Sequence, residues 1–248
     1  MLKLHGFPSS NYYNIPKLAL LEKGIEFEEV LCFVGAGEEY KPDYLNKSPM
    51  GMVPALETPE GYISESRAIL EYLESSHPTP PLLPNSSFHR AKAQELSQFI
   101  ELYIELAARR MVPYLLGGSK PDPAYLTQFD IDMHRAASAL SRLSKFEDFA
   151  YGDQFSLADV ASINHLSFAR GFCWHFLGED TLAKVPGVAA YLDRMEKRPH
   201  VQTIRSDAKA GEAALMAHAV FKRINPDEKH TLQYTTTSSS LQKKLLNQ

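Results

Sequence analysis

The chain opens on Leu2-Lys3-Leu4-His5, apolar and polar in alternation, the period-two pattern of a short strand. Gly6 to Asn11 interrupts it with Gly, Pro and small polar residues, the composition of a loop. Ile15, Leu18, Ala19 and Leu21 then recur at helical spacing, with Asn14 as the expected N-cap, Pro16 in the first turn and Gly24 closing the helix. Phe27 and the run Val30 to Val34 predict a second strand, nearly continuous in its apolar character. A strand, a short helix and such a strand imply a parallel pair in a sheet covered on both faces. After a loop at 35–39, Tyr40 to Lys47 predicts a short, irregular helical patch. Val53 to Leu56 and Tyr62-Ile63 flank Thr58-Pro59-Glu60-Gly61, where Pro presets φ and Gly ends the turn, so a hairpin is expected. Pro54 stands where its first strand begins, a position that needs no N–H. The second strand runs into Glu65-Ser66 and a helix to about Ser76, with Ile69, Leu70, Tyr72 and Leu73 on its apolar face.

Strand–helix–strand–helix–strand–strand–helix is the order of an α/β, thioredoxin-like domain with a mixed four-stranded sheet. His77 to Asn85 holds Pro78, Pro80, Pro81 and Pro84, which excludes helix and central strand and predicts a semi-rigid connection. Beyond it the periodicity is helical throughout. Leu96, Phe99, Ile100, Tyr103, Ala107 and Met111 form one apolar face, ending at Pro113, and Leu126 to Leu143 form another. Ser156-Leu157-Ala158-Asp159 is a capping-box variant opening a helix with few charges, the expected centre of an all-α bundle. Val188 to Lys197 and Ala208 to Arg223 are the last helical segments. The expected division is residues 1–77 for the first domain, 78–88 for the linker, 89–222 for the helical domain and 223–248 for a polar tail.

Charge narrows the function classes. Lys and Arg number 26 against 30 Asp and Glu, a net charge of −4, without the basic excess of a nucleic-acid binder. No apolar run approaches the ~20 residues of a membrane span, and the N-terminus lacks the build of a signal peptide. The two cysteines, Cys32 and Cys173, fall in no metal or redox spacing, so a reduced cytoplasmic protein is expected. None of the nine histidines forms a ligand pattern, and no metal is expected.

The hairpin and the helix behind it offer the first chemistry. Free N–H groups at a helix N-terminus, with the Ser66 hydroxyl beside them, suit a carboxylate. Taken alone, the same residues fit a plain cap with Glu65 as a solvated acid. The ordered set is more specific. Ser9-Ser10-Asn11, Pro16-Lys17-Leu18-Ala19-Leu20, Val53-Pro54-Ala55-Leu56, Glu65-Ser66-Arg67-Ala68-Ile69 and Phe155-Ser156-Leu157-Ala158-Asp159 together resemble the glutathione transferase family, in its cytosolic, bacterial, serine-type form.

That resemblance implies a cis Val53-Pro54 peptide, with the Val53 backbone pairing along the tripeptide glutathione. It implies that Ser66 takes the γ-glutamyl carboxylate through its N–H and hydroxyl, that Glu65 accepts from the ligand's amino group, and that Lys41 reaches the glycine carboxylate. Met52 departs from the family, many of whose members carry a polar residue there. The co-substrate must react as thiolate, whereas a free thiol has a pKa of about 8.5. One hydroxyl donor to the ionised sulfur contributes ~1.5–3 kcal/mol, about one to two pKa units, so no base is required. Ser10 occupies the serine-type position. Ser9 is next if the loop is out of register by one, then Tyr12, which stands where beta-type members keep a cysteine, while Asn11 offers an amide donor. The resemblance implies glutathione and a small electrophile as ligands, no metal, and a homodimer, with neither nucleic acid nor membrane as partner. A glutathione-dependent disulfide or peroxide reductase, a maleylacetoacetate-type isomerase and a non-catalytic glutathione-binding regulatory protein remain as alternatives.

Overall fold

The structure, a computed structural model, describes residues 1–33, 42–117, 120–224 and 235–236, with backbone alone for 116–117, 213–224 and 235–236. The first strand, β1 (Leu2–Gly6), is followed by α1 (Asn11–Glu22), β2 (Phe27–Leu31), α2 (Pro42–Leu45), β3 (Ala55–Thr58), β4 (Gly61–Ser64) and α3 (Ser66–Ser76). β1 pairs with β2 in parallel, Leu2 opposite Phe27 and Gly6 opposite Leu31. On its other side β3 runs antiparallel, His5 opposite Ala55, and β4 completes the hairpin with Ser64 opposite Ala55. This is the mixed four-stranded sheet of a thioredoxin-like domain. Leu4, Leu56, Leu18, Leu20, Ile69 and Leu73 are all fully buried, so sheet, α1 and α3 share one core. The hairpin turn is held by a side chain as well as by Pro59 and Gly61: the Thr58 hydroxyl accepts from the N–H groups of Glu60 and Gly61 at 3.1 and 3.2 Å.

The start of α1 differs from expectation. Ser10, in an extended conformation, is the N-cap, its Oγ accepting the Tyr13 N–H at 3.3 Å. Asn14 lies inside the helix, and its amide donates instead to the Pro8 carbonyl at 2.7 Å. With one orphan N–H satisfied a turn earlier, the helix starts sooner, and Pro16 sits in its body rather than its first turn.

The helices continue as α4 (Ser87–Phe99), a π-helical stretch at Ile100–Glu105, α5 (Leu106–Arg109), α6 (Val112–Gly117), α7 (Pro123–Leu143) and α8 (Leu157–Leu177). A 3-10 turn at Thr181–Lys184, α9 (Val188–Met195), α10 (Pro199–Ile224) and β5 (Thr235–Thr236) complete the chain. The π stretch widens the turn and shifts the expected apolar face. Ile100, Ile104 and Glu105 point inward with no exposure, while Tyr103 is 58% exposed. Among the described residues no helix is long and apolar enough to cross a membrane.

Contacts divide the chain into two compact units, residues 1–80 with 199–248, and residues 81–198. α10 therefore belongs with the sheet, where the sequence pattern grouped it with the other helices. One tie is electrostatic: the Lys17 ammonium of α1 lies 2.7 Å from Asp207 of α10. β5 adds two residues to the sheet, Thr235 opposite Val30 and Thr236 opposite Glu29. The proline-rich segment also begins inside the first unit. Lys23 pairs with Glu74 at 2.7 Å and donates to the carbonyls of His77 and Pro80, both at 2.8 Å.

In the helical unit the capping box of α8 is formed, and Asp159 is its centre. One carboxylate oxygen accepts from the Ala150 N–H at 2.7 Å and the Tyr191 hydroxyl at 2.9 Å, the other from the Ser156 N–H at 2.8 Å and hydroxyl at 3.2 Å. Burial pushes its pKa up to about 6 while these four donors pull it back. Asp159→Ala strands buried donors without acceptors, and we expect a loss of about 3 kcal/mol or more. Urea unfolding checks this; a wild-type midpoint would reject the central role of the carboxylate.

Candidate active site

The register of the sheet decides what meets at its edge. β1 and β2 end where β3 begins, because Gly6 pairs with Leu31 and His5 with Ala55. β4 ends at that same edge, Ser64 opposite Ala55. The Ser9-Ser10 loop after β1, Val53-Pro54 before β3 and Glu65-Ser66 after β4 therefore all leave one end of the sheet. So do the N-termini of α1 and α3, each carrying roughly half a positive charge. A sheet end with two helix N-termini suits an anionic ligand.

Each segment has a local cause. Val53-Pro54 is a cis peptide, and it stands directly ahead of Ala55, the first paired residue of β3. Its approach is fixed by Met52, whose N–H reaches the Ser48 hydroxyl at 3.2 Å and whose carbonyl accepts from the Tyr44 hydroxyl at 3.0 Å. The Met52 side chain is 47% exposed. Glu65 is the N-cap residue of α3 without capping through its side chain, and its φ of 69° with ψ of 119° is a strained backbone for a residue with a Cβ. Such conformations cost ~1–3 kcal/mol and persist where the surroundings over-determine them, as they do at binding sites. Glu65 is exposed, and Ser66, the first residue of α3, is 4% exposed. Lys41 lies outside the described residues.

The loop after β1 sorts its own hydroxyls. Ser10 is half-buried at the α1 N-terminus, and by accepting a cap bond it spends a lone pair while keeping its proton for donation. The Ser9 Oγ is buried and finds no hydrogen-bond partner among the described residues. Asn11 is buried and Tyr12 half-buried, both with partners. Tyr13 turns away into the core, where its hydroxyl donates to Glu29 at 2.6 Å. Burial, with the Glu29 charge beside it, holds that phenol well above its usual pKa. Sequence reasoning missed this inner layer. Glu29 Oε2 also accepts from Lys17, which is fully buried and pairs with Asp207, each contact at 2.7 Å. The apolar neighbours of Lys17 in α1, Leu18 to Leu20, were the one signal that this lysine faces inward.

The helical unit holds two other features. An open cleft of about 900 Å³ has walls drawn from residues 81–156, among them His89, Arg142, Phe146 and Tyr151, and none of the candidate residues. Asp130, His134 and Glu179 bring three potential metal-ligand atoms within 4.8 Å of one another, a grouping their sequence spacing does not suggest. The Lys184 ammonium, 2.7 Å from Glu179 and 3.3 Å from His134 Nε2, already occupies one side of the group. Cys32 and Cys173 form no disulfide and are buried, and burial pushes the Cys173 thiol up to about 11, far from reactive.

The chain is similar to known proteins over both units. Residues 4–81 match the family model of the glutathione S-transferase N-terminal domain, and residues 128–204 that of the C-terminal domain. A glutathione S-transferase of Pseudomonas putida is 40% identical over 216 residues, covering 87% of this chain and 96% of its own length. FtsZ-localized protein A of Caulobacter vibrioides is 30% identical, covering 85% of this chain and 93% of its own. Among solved structures, a holo maleyl pyruvate isomerase, described as a bacterial zeta-class glutathione S-transferase, is similar with a TM-score of 0.68. It is 26% identical and covers 82% of this chain and 95% of its own.

The loop leaves no room behind it. A Cβ built on Gly6 would stand 2.2 Å from Tyr13 Cδ2, at a φ of 155°. Gly6→Ala must push the tyrosine ring and, with it, the N–H that caps on Ser10. We expect a loss of about 2 kcal/mol or more, read by thermal or urea unfolding; an unchanged protein would show that the ring has space to move.

Proposed function

Because the chain belongs to the glutathione S-transferase family, we propose that it is a glutathione transferase, joining the glutathione sulfur to a small electrophile through a serine-activated thiolate. The carrying observation is the shared sheet edge of Ser10, Val53-Pro54 and Glu65-Ser66, set by strand register. The Val53 backbone would pair with the middle of the tripeptide. Ser66 would give its N–H and hydroxyl to the γ-glutamyl carboxylate, Glu65 would accept from the ammonium, and Lys41 would reach the far carboxylate. The thiol proton would leave to solvent, and Ser10, keeping its own proton, would donate a hydrogen bond from its hydroxyl to the thiolate sulfur. The thiolate then forms a C–S bond to the electrophile, which accepts the electron pair or expels its leaving group. Ser10 is preferred over Ser9 because the Ser9 oxygen is buried inside the loop; Tyr12 and Asn11 are supporting donors. We read the chain as a cytoplasmic homodimer whose ligands are glutathione and an electrophile, with no metal in the reaction.

A second reading, an isomerase that adds and re-expels the glutathione thiolate on an unsaturated diacid, is favoured by the likeness to the maleyl pyruvate isomerase. Both readings need the thiolate and differ in its partner.

Removing a hydrogen bond to an ionised group costs ~1.5–3 kcal/mol. Ser10→Ala should therefore lower kcat/KM for chloronitrobenzene conjugation at neutral pH by about ten-fold or more, and raise the pH midpoint of bound thiolate. Wild-type turnover in that variant rejects Ser10 as the activating residue. Ser66→Ala should weaken glutathione binding by about ten-fold with little change in kcat, as followed by calorimetry. Turnover of unsaturated diacids but not of chloronitrobenzenes would decide for the isomerase. Glutathione binding without turnover of either would overturn both readings.

A further inference from the structure

α10 reaches the loop that carries Ser10. A Cβ on Gly211 would sit 3.3 Å from the Pro8 ring, so the helix backbone abuts the loop directly. The same Pro8 is held from the other side by the Asn14 amide on its carbonyl. Deeper in, polar contacts run from α10 to the Tyr13 hydroxyl, and the tyrosine itself carries the link on to Ser10. Asp207 pairs with Lys17 at 2.7 Å, Lys17 with Glu29 Oε2 at 2.7 Å, and that same oxygen accepts the Tyr13 hydroxyl at 2.6 Å. The Tyr13 N–H then bonds the Ser10 Oγ at 3.3 Å. Lys17 is fully buried, and Tyr13, Glu29 and Asp207 are nearly so. Nothing in the chemistry of thiol activation calls for α10, yet the network ends on the activating hydroxyl.

We propose that Asp207 is a positioning residue for Ser10, acting through Lys17, Glu29 and Tyr13 to hold the hydroxyl where it meets the glutathione sulfur. The inference rests on the reading of Ser10 given above. A buried ammonium shared by two carboxylates has one good position, because each contact is charge-assisted and directional. Lys17 therefore fixes Glu29, and Glu29 fixes the tyrosine ring from its hydroxyl end. The ring's backbone N–H, one turn into α1, fixes the rotamer of the capping serine. With Asp207 neutral, Lys17 settles on Glu29 alone, competes with the Tyr13 hydroxyl for its oxygen, and the cap loosens. The charged groups joined at the junction are Lys17, Glu29 and Asp207; elsewhere between α1 and α10, His200 lies 3.5 Å from Glu22.

The test uses the full chain with bound glutathione, following thiolate by its ultraviolet absorbance against pH in wild type, S10A, D207N, Y13F and D207N/Y13F. Y13F cuts the chain of contacts without touching α10, so the proposal stays testable if D207N unfolds. D207N and Y13F should each raise the midpoint by about half a pH unit, a ~3-fold loss of thiolate below it. The double variant should shift no further than the larger single. In turnover, kcat/KM should fall ~3-fold near pH 6.5 and recover at alkaline pH, with KM for glutathione unchanged. Loss of melting temperature with a wild-type midpoint in D207N and Y13F, while S10A shifts, overturns the inference and leaves Ser10 in place. Additive shifts in the double variant overturn it too, since the two residues would then act separately. A wild-type midpoint in S10A overturns the reading of Ser10 and this inference with it.

Discussion

An ammonium with no access to solvent must find its counter-charges inside the protein, and Lys17 finds two. Taking such a group out of water costs several kcal/mol, and only close, well-aligned carboxylates offset it. Glu29 on β2 and Asp207 on α10 supply them at 2.7 Å each, so strand, first helix and last helix are pulled to one point. Glu29 concentrates its bonding on a single oxygen, which takes both Lys17 and the Tyr13 hydroxyl, while Oε1 stays buried without a partner among the described residues. That economy of partners makes the arrangement intolerant: lose one contact and the others must rearrange, because water is not there to replace it. The hydroxyl that the proposed chemistry depends on sits at the outer end of this arrangement.

Strand direction supplies the other constraint. A parallel β1–β2 pair followed by an antiparallel hairpin brings three otherwise unrelated turns to one edge of the sheet. Because the helices after β1 and β4 start there, their positive ends face the same space without any charged side chain being required. In the proposed site, backbone amides and hydroxyls would do what a lysine or arginine does elsewhere, at fixed positions and without side-chain entropy to lose. The strained φ of Glu65 fits this view. The chain turns from β4 into α3 within one residue, which puts Ser66 at the first helical position instead of one turn away.

Features written in neighbouring residues were legible in the sequence. The hairpin turn, α3 from Ser66 to Ser76 and the capping box at Ser156 all follow from side chains within four residues of one another. What escaped was decided at a distance. Ser10 and Asn14 are both good N-caps by type, and the choice fell to Ser10 because Asn14 is engaged by Pro8 and Tyr13 is anchored on a strand 16 residues away. Lys17 looks like any helix lysine until its partner 190 residues later is in place, and that pairing carries α10 to the sheet. The π stretch at Ile100 left no local mark either: the spacing of Leu96 to Met111 fits a regular helix, and only packing shows Ile104 and Glu105 inside and Tyr103 outside. The resemblance singles out the residues at this edge because it rests on an ordered set. It did not reach the buried layer beneath them.

That layer bears on why a serine suffices for the proposed step. A lone hydroxyl in water donates to a thiolate no better than water does, so its value lies in being held. As an N-cap, Ser10 accepts from the helix through one lone pair, and the accepted bond polarises its O–H toward whatever lies beyond. The helix N-terminus adds a positive end behind it. Ser9, one residue earlier, has the same hydroxyl with neither cap nor exit. The two serines are chemically identical and one peptide apart, and position relative to the first turn of α1 is the whole difference between a candidate donor and a buried bystander. That first turn is held by Tyr13, which makes the fit of a ring against Gly6 and of a phenol against Glu29 part of the site's chemistry.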